Sequence, residues 1–287
     1  MANDSQQRSA EPPWLRRTFV AASVCFVSVL ILLPVISVFT EALRKGFAFY
    51  ITSISDPLAF AALKLTLTTA AVTLAANLVF GLAASWLIAK FSFRGRNLLL
   101  SLIDLPFAVS PVVSGLVFVL LFGAQGWFGT ALSNHGVQII FATPGVILAT
   151  IFVTFPFIAR ELIPLMQEQG AEEEEAAVLL GANGWQTFWR VTLPNIRWAL
   201  VYGVVLANAR AMGEFGAVSV VSGHIRGRTN TLPLHVEILY NEYNFAAAFA
   251  VASLLALLAL VTLAAKAALE WRIRLEQQRV AAEQLEA

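Results

Sequence analysis

The residues best suited to chemistry in this sequence are a few polar groups set in apolar surroundings. Arg210 and Glu214 interrupt an apolar run from Pro194 to Val221. Four positions apart, they share one face of a helix. There they can neutralise each other, tie two helices together, or line a path for an ion. Gly213 and Gly216 flank them and permit a bend or a close helix approach. A second constellation is Asp104-Leu105-Pro106, followed by Ser110-Pro111 and Ser114-Gly115. Its two prolines free backbone groups, either for a cavity whose serine hydroxyls donate to an anion or simply for a kink in a packed helix. A third is the segment Gly223 to Thr229, where Arg226 and Arg228 are either solvated loop charges or donors for a tetrahedral oxyanion. The chemistry these groups offer is recognition of an anion, without bond making.

Catalytic arrangements are missing. The sequence holds no G-x-x-x-x-G-K-[ST] phosphate loop, no H-E-x-x-H and no G-x-S-x-G elbow. His135, His224 and His235 have no cysteine or acid companions at ligand spacing. The expectation is a non-enzymatic chain with no catalytic residues, no metal site and no bound cofactor.

The elements that must position these groups follow from composition. Of 287 residues, 58% are hydrophobic and 13% charged, against about 25% charged in soluble domains. A net charge of +1 gives no basic surface for nucleic acid, and Cys25 alone cannot form an internal disulfide. What remains is a protein embedded in membrane lipid. Runs of about 20 apolar residues can span a bilayer as helices. Six are present: 18–39, 61–89, 97–122, 144–164, 194–221 and 245–269. The fold class is all-α and polytopic, with six transmembrane helices; Pro106 and Pro111 are expected to break the third ladder. The first run is too long for a signal h-region and contains Pro34, so an uncleaved helix is expected.

Lys and Arg set the orientation. With six spans, 13 bases fall on the side of the termini, Arg160 among them, and 5 on the other. Both termini are therefore expected in the cytoplasm. The division is a cytoplasmic segment 1–17, a membrane domain 18–271 and a charged tail 272–287, with a long cytoplasmic connection at 165–193.

That connection holds the most informative stretch. Residues 172–180 are helix formers, Gly181, Asn183 and Gly184 punctuate a turn, and Trp185, Phe188 and Trp189 form one apolar face of a second short helix. Pro194 is placed to begin the next helix. Glu172, Glu173 and Glu174 are expected on a solvated face. A bulky apolar face directed at water implies something that packs on it.

Glu175-Ala176-Ala177, three residues, Gly181, nine residues, Val191, one residue and Leu193-Pro194 resemble the E-A-A-x₃-G-x₉-I-x-L-P signature of ABC-importer permease subunits, with Val191 in place of Ile. Residues 104–116, 209–227 and 229–244 extend the likeness to sulfate/thiosulfate permease subunits of the CysW type. The resemblance implies a type I importer (MetI-like) permease fold in a bacterial inner membrane. It implies that Glu175, Ala176, Ala177, Gly181, Val191, Leu193 and Pro194 couple the chain to a dimer of ATP-binding subunits, which use the ATP. It also implies a second, homologous permease of the CysT type and a periplasmic sulfate-binding protein. The alternatives are a molybdate or tungstate permease, which shares the M-G-E-F-G stretch, and a self-sufficient secondary transporter. The latter would place more ionisable groups at mid-membrane than Asp104, Arg210 and Glu214.

Overall fold

The computed structural model describes residues 13–286. Residues 1–12 of the expected N-terminal segment, Arg8 included, and Ala287 of the tail lie outside them. The first helix, α1 (Pro13–Leu43), runs through Pro34 without a break. It packs against α13 (Phe245–Glu286) and, at its end, against the helix that follows, and leaves most of its apolar surface open, as a lipid-facing helix does. A short α2 (Phe47–Ile54) follows. The chain then enters α3 (Pro57–Lys90), where Pro57 occupies the first turn and the Asp56 carboxylate accepts from the N–H groups of Leu58 and Ala59 at 2.9 and 3.3 Å.

The core is built on α7 (Thr143–Glu168), which runs parallel to α3 and antiparallel to α10 (Leu193–Met212). Glycines allow this closeness. A Cβ on Gly81 of α3 would lie 3.2 Å from Ile158, and one on Gly203 of α10 would meet the Ile158 Cα at 3.2 Å. Asn77 Nδ2 donates to Thr154 Oγ1 at 2.7 Å across the α3–α7 seam. Small residues and interhelical hydrogen bonds replace the hydrophobic drive that lipid removes.

Among the described residues four helices are long and apolar enough to cross a membrane unbroken, and two bent pairs bring the number of spans to six if each pair counts as one. The third run is not one helix. It divides into α4 (Arg96–Ala108) and α5 (Pro111–Phe122), bent by 110°. Pro106 stays inside α4, so the break falls at Val109–Ser110, ahead of Pro111. The fifth run ends its first helix at Met212 and resumes as α11 (Gly216–Ser222) at 52°. Arg210 and Glu214 are thus not on one helix face, because Glu214 lies in the break. A further correction concerns α7, which continues to Glu168 through Pro156 and Pro164. Arg160 and Glu161 are therefore interior to a helix.

Small elements close the bundle: α6 (Gly129–Asn134) in the uncharged loop after α5, and α12 (Leu232–Asn241) before α13. On the other side, α8 (Glu172–Leu179) and α9 (Gly184–Thr187) form the connection. The two breaks pack against each other. A Cβ on Gly216 would lie 2.9 Å from Pro111 Cβ, and one on Gly115 would lie 2.8 Å from the Ala217 carbonyl oxygen. Gly115→Val therefore wedges α5 from α11. The expected cost is about 1–3 kcal/mol, read as a lower thermal unfolding midpoint in detergent.

Candidate translocation and coupling sites

Ending a helix inside lipid exposes backbone groups that no water can satisfy. At the α10–α11 break Glu214 answers this. Its side chain is 1% exposed; one oxygen lies 2.6 Å from Arg210 Nη1, and the other accepts from the Ala217 N–H at 2.9 Å. The carboxylate caps the positive end of α11 and neutralises Arg210 in one arrangement. Arg210 keeps a third of its side chain exposed, and Gly213 beside it is exposed and ends α10. Ser110, also exposed, adjoins the Pro111 that Gly216 touches. The structure thus gathers Ser110, Arg210, Gly213, Glu214 and Gly216 at one junction, with a guanidinium at its edge.

Two residues expected there behave differently. Ser114 is buried, and its hydroxyl donates to the Ser110 carbonyl at 3.2 Å, within its own helix. Asp104 pairs with Arg160 of α7 at 2.9 Å, and the Arg160 guanidinium lies over the Phe107 ring at 4.5 Å. Reading the sequence span by span missed this partner. The signal was available, since an acid in an apolar run needs a base. Replacing Arg210 by Met strands Glu214 as a buried charge. The expected loss is about 2 kcal/mol, below the ~3–5 of a fully buried pair because Arg210 is partly solvated. Unfolding of Arg210→Met against the double variant Arg210→Met/Glu214→Gln, expected to recover stability, checks this.

In the loop after α11, Arg226 is paired with Glu242, and His224 Nε2 lies 3.3 Å from Glu237. Arg226 is thus held by an acid of its own loop; Arg228 is exposed and has no ion-pair partner among the described residues. Thr229 Oγ1 donates to the Ser222 carbonyl at 2.7 Å and fastens the loop to α11. Gly223 adopts φ +66 beneath the Phe141 ring, where a Cβ would clash at 2.5 Å. His235 is buried, and burial holds its pKa below the ordinary 6.5, opposed by Asp56. The fold prefers neutral imidazole, so between 6.5 and the lower folded value the unfolded chain binds more protons. Stability present above that window is lost as pH falls through it. Thermal midpoints between about pH 7.5 and 5.5 should drop more for the native chain than for His235→Gln.

The third site is the bend between α7 and α10. Gly181 takes φ +91 in open space between α8 and α9, a conformation that favours glycine. Asn183 and Gln186 form a reciprocal capping box at the start of α9. The second helix of the bend is not separate from the next span. It continues through a π turn, Phe188–Thr192, into α10, giving one helix from Gly184 to Met212. Pro194 lies inside it: Pro194 cannot donate to the Arg190 carbonyl, and the widened turn, with Leu193 N–H donating to the Phe188 carbonyl, absorbs the misfit. Leu179, Leu180 and Trp185 are 88%, 90% and 71% exposed, and Trp189 stands edge-on to Trp185 at 5.7 Å. Glu175 and Ala176 are exposed beside them, Ala177 and Val191 half-buried. Glu172 and Glu173 are exposed, as expected, whereas Glu174 is half-buried. Glu173 receives a bond from Asn195 Nδ2, and Glu174 is paired with Lys90 at 3.1 Å.

A helical membrane bundle with a charged break in its middle and an unpaired apolar bend at one end defines the membrane component of a driven transporter. The chain belongs to the family of binding-protein-dependent transport system inner membrane components, whose model matches residues 77–275. It is 50% identical over 271 residues to the sulfate transport system permease protein CysW of Escherichia coli (strain K12), covering 94% of this chain and 93% of that protein. It is 37% identical over 236 residues to the CysT permease of the same strain, covering 82% and 85%. Its fold matches that of a bacterial alginate ABC transporter with TM-score 0.75 at 18% identity, over 91% of this chain and 95% of the other. The architecture is that of an ABC-importer permease.

Proposed function

We propose that this chain is one of two permease subunits of an ATP-driven importer of sulfate or thiosulfate, with no catalysis of its own. The observation that carries the transport half is the exposed apolar bend at the root of the helix that ends at the charged break. The relatives named for sulfate support the choice of anion over molybdate or tungstate. Glu175, Ala176, Ala177, Gly181, Val191, Leu193 and Pro194 would form the docking segment for a dimeric ATPase, which binds and hydrolyses the ATP. A homologous permease of the CysT type would complete the passage, and a periplasmic sulfate-binding protein would deliver the anion to the outer face, near Arg228. Both termini would lie in the cytoplasm with the bend.

Within this reading the passage runs along the exposed rim of the junction: Ser110, Arg210, Gly213 and the Gly216 break. Arg210 offers positive charge to a dianion, while Glu214 cancels most of it. The site therefore passes an oxyanion without holding it, and affinity resides in the binding protein. Asp104, bonded to Arg160, would keep α4 upright at the edge of the passage. Gly181→Asp places a charged side chain at a left-handed position in the docked turn. Labelled sulfate uptake by cells carrying it is expected to fall to background, with the variant still in the membrane. Normal uptake with the ATPase still bound would defeat the docking assignment, and uptake abolished by excess molybdate alone would defeat the choice of anion.

A further inference from the structure

The acidic turn of α8 joins helices that the bend would have to move. Glu174 Oε2 lies 3.1 Å from Lys90 Nζ, with the two side chains only 18% and 10% exposed. Glu174 Oε1 accepts from Thr192 Oγ1 at 2.6 Å. Lys90 also donates to the Gly170 carbonyl, and Glu173 receives Asn195 Nδ2. Gln169 Nε2 donates to the Asn195 carbonyl at 3.3 Å. One carboxylate thus bonds the last residue of α3 and the π turn that leads into α10. The pair borders a cavity of about 610 Å³ lined by Trp86, Phe91, Val178 and Phe188. With so little of either charged side chain exposed, solvent screens their attraction weakly.

Beyond the pair lies a continuous helix. From Gly184 to Met212 no residue leaves helical geometry, a rod of about 43 Å at 1.5 Å per residue. Its far end is the break that holds Arg210 and Glu214. A displacement of the bend is therefore delivered to that break through one stiff element. The second helix, α3, has no covalent link to the bend; it reaches it through Lys90 and through Trp86, whose ring stands edge-on to Phe188 at 6.4 Å. We infer that Glu174 is a positioning residue: with Lys90 and Thr192 it clamps the bend to α3 and α10, so that a push on the bend moves both helices as one body. The inference rests on the docking reading of the bend, although the clamp itself is geometry within this chain.

A lone Glu174→Gln leaves Lys90 as a buried charge without its partner and could act through stability alone. The informative variant removes both charges. Lys90→Met/Glu174→Gln keeps an amide that can accept from Thr192 and fills the lysine site with an apolar chain. It should unfold at the temperature of the unaltered protein. The experiment uses the assembled transporter in proteoliposomes and measures sulfate moved per ATP hydrolysed, with the ATPase subunit counted by co-purification. The double variant is expected to keep its ATPase and its unfolding temperature while the ratio falls at least about fivefold. Lys90→Arg, which preserves the charge, should retain the ratio. A double variant with an unaltered ratio would show the pair to be a stability element only and end the inference. Loss of the ATPase from the double variant would place Glu174 in the docking surface and end it too. If the unaltered chain fails to retain an ATPase, the docking reading itself falls, independently of the variants.

Discussion

One buried carboxylate makes the interrupted architecture possible. Lipid offers no donors or acceptors, so each helix end within it must find partners in the protein. At the fifth span that partner is Glu214, which serves the first turn of α11 and the guanidinium of Arg210 together. A lone acid there would be too costly to hold ionised, and a lone arginine would draw an anion and keep it. Together they permit a polar break whose net charge is close to zero. The α4–α5 break adjoins it through Pro111 and Gly216, so both interruptions share one protected place instead of opening two.

From this junction the remainder of the bundle can be understood as support. Parallel α3 and α7, held by Gly81, Asn77 and Thr154, form the fixed wall. Antiparallel α10 passes close to that wall at Gly203 and continues without interruption to the bend before Gly184. The charged break and the exposed apolar bend thus sit at opposite ends of the same helix. The α1 helix, bare on most sides, belongs to the lipid boundary and adds little to this internal frame.

Apolar run length made the six spans legible, because a bilayer imposes that length directly. The bend between α7 and α10 was legible from residue spacing, and the Asn183–Gln186 cap fits its turn. Break positions were half legible: both prolines were expected to break the third ladder, and the chain opens directly ahead of Pro111 but not at Pro106. Pro106 and Pro111 have the same local chemistry, yet only Val109–Ser110 opens, because Gly216 and Gly115 admit α11 there; a contact between residues a hundred positions apart leaves no local trace. The same reason hid Arg160 from Asp104 and Lys90 from Glu174. Spacing also misled for Arg210 and Glu214. Helical periodicity put them on one face, whereas the pair forms across the helix end.

The π turn at Phe188–Thr192 carries a consequence for sequence change. Its five residues turn the chain about as far as four do in an α-helix, so the extra residue adds almost no rotation between the Trp185 face and everything beyond Leu193. Deleting one residue inside it would let the helix tighten into ordinary α geometry and leave the tryptophans facing the neighbours they have now. Inserting one, with no second widened turn to absorb it, would swing that face by about 100°, so the segment should tolerate losing a residue far better than gaining one.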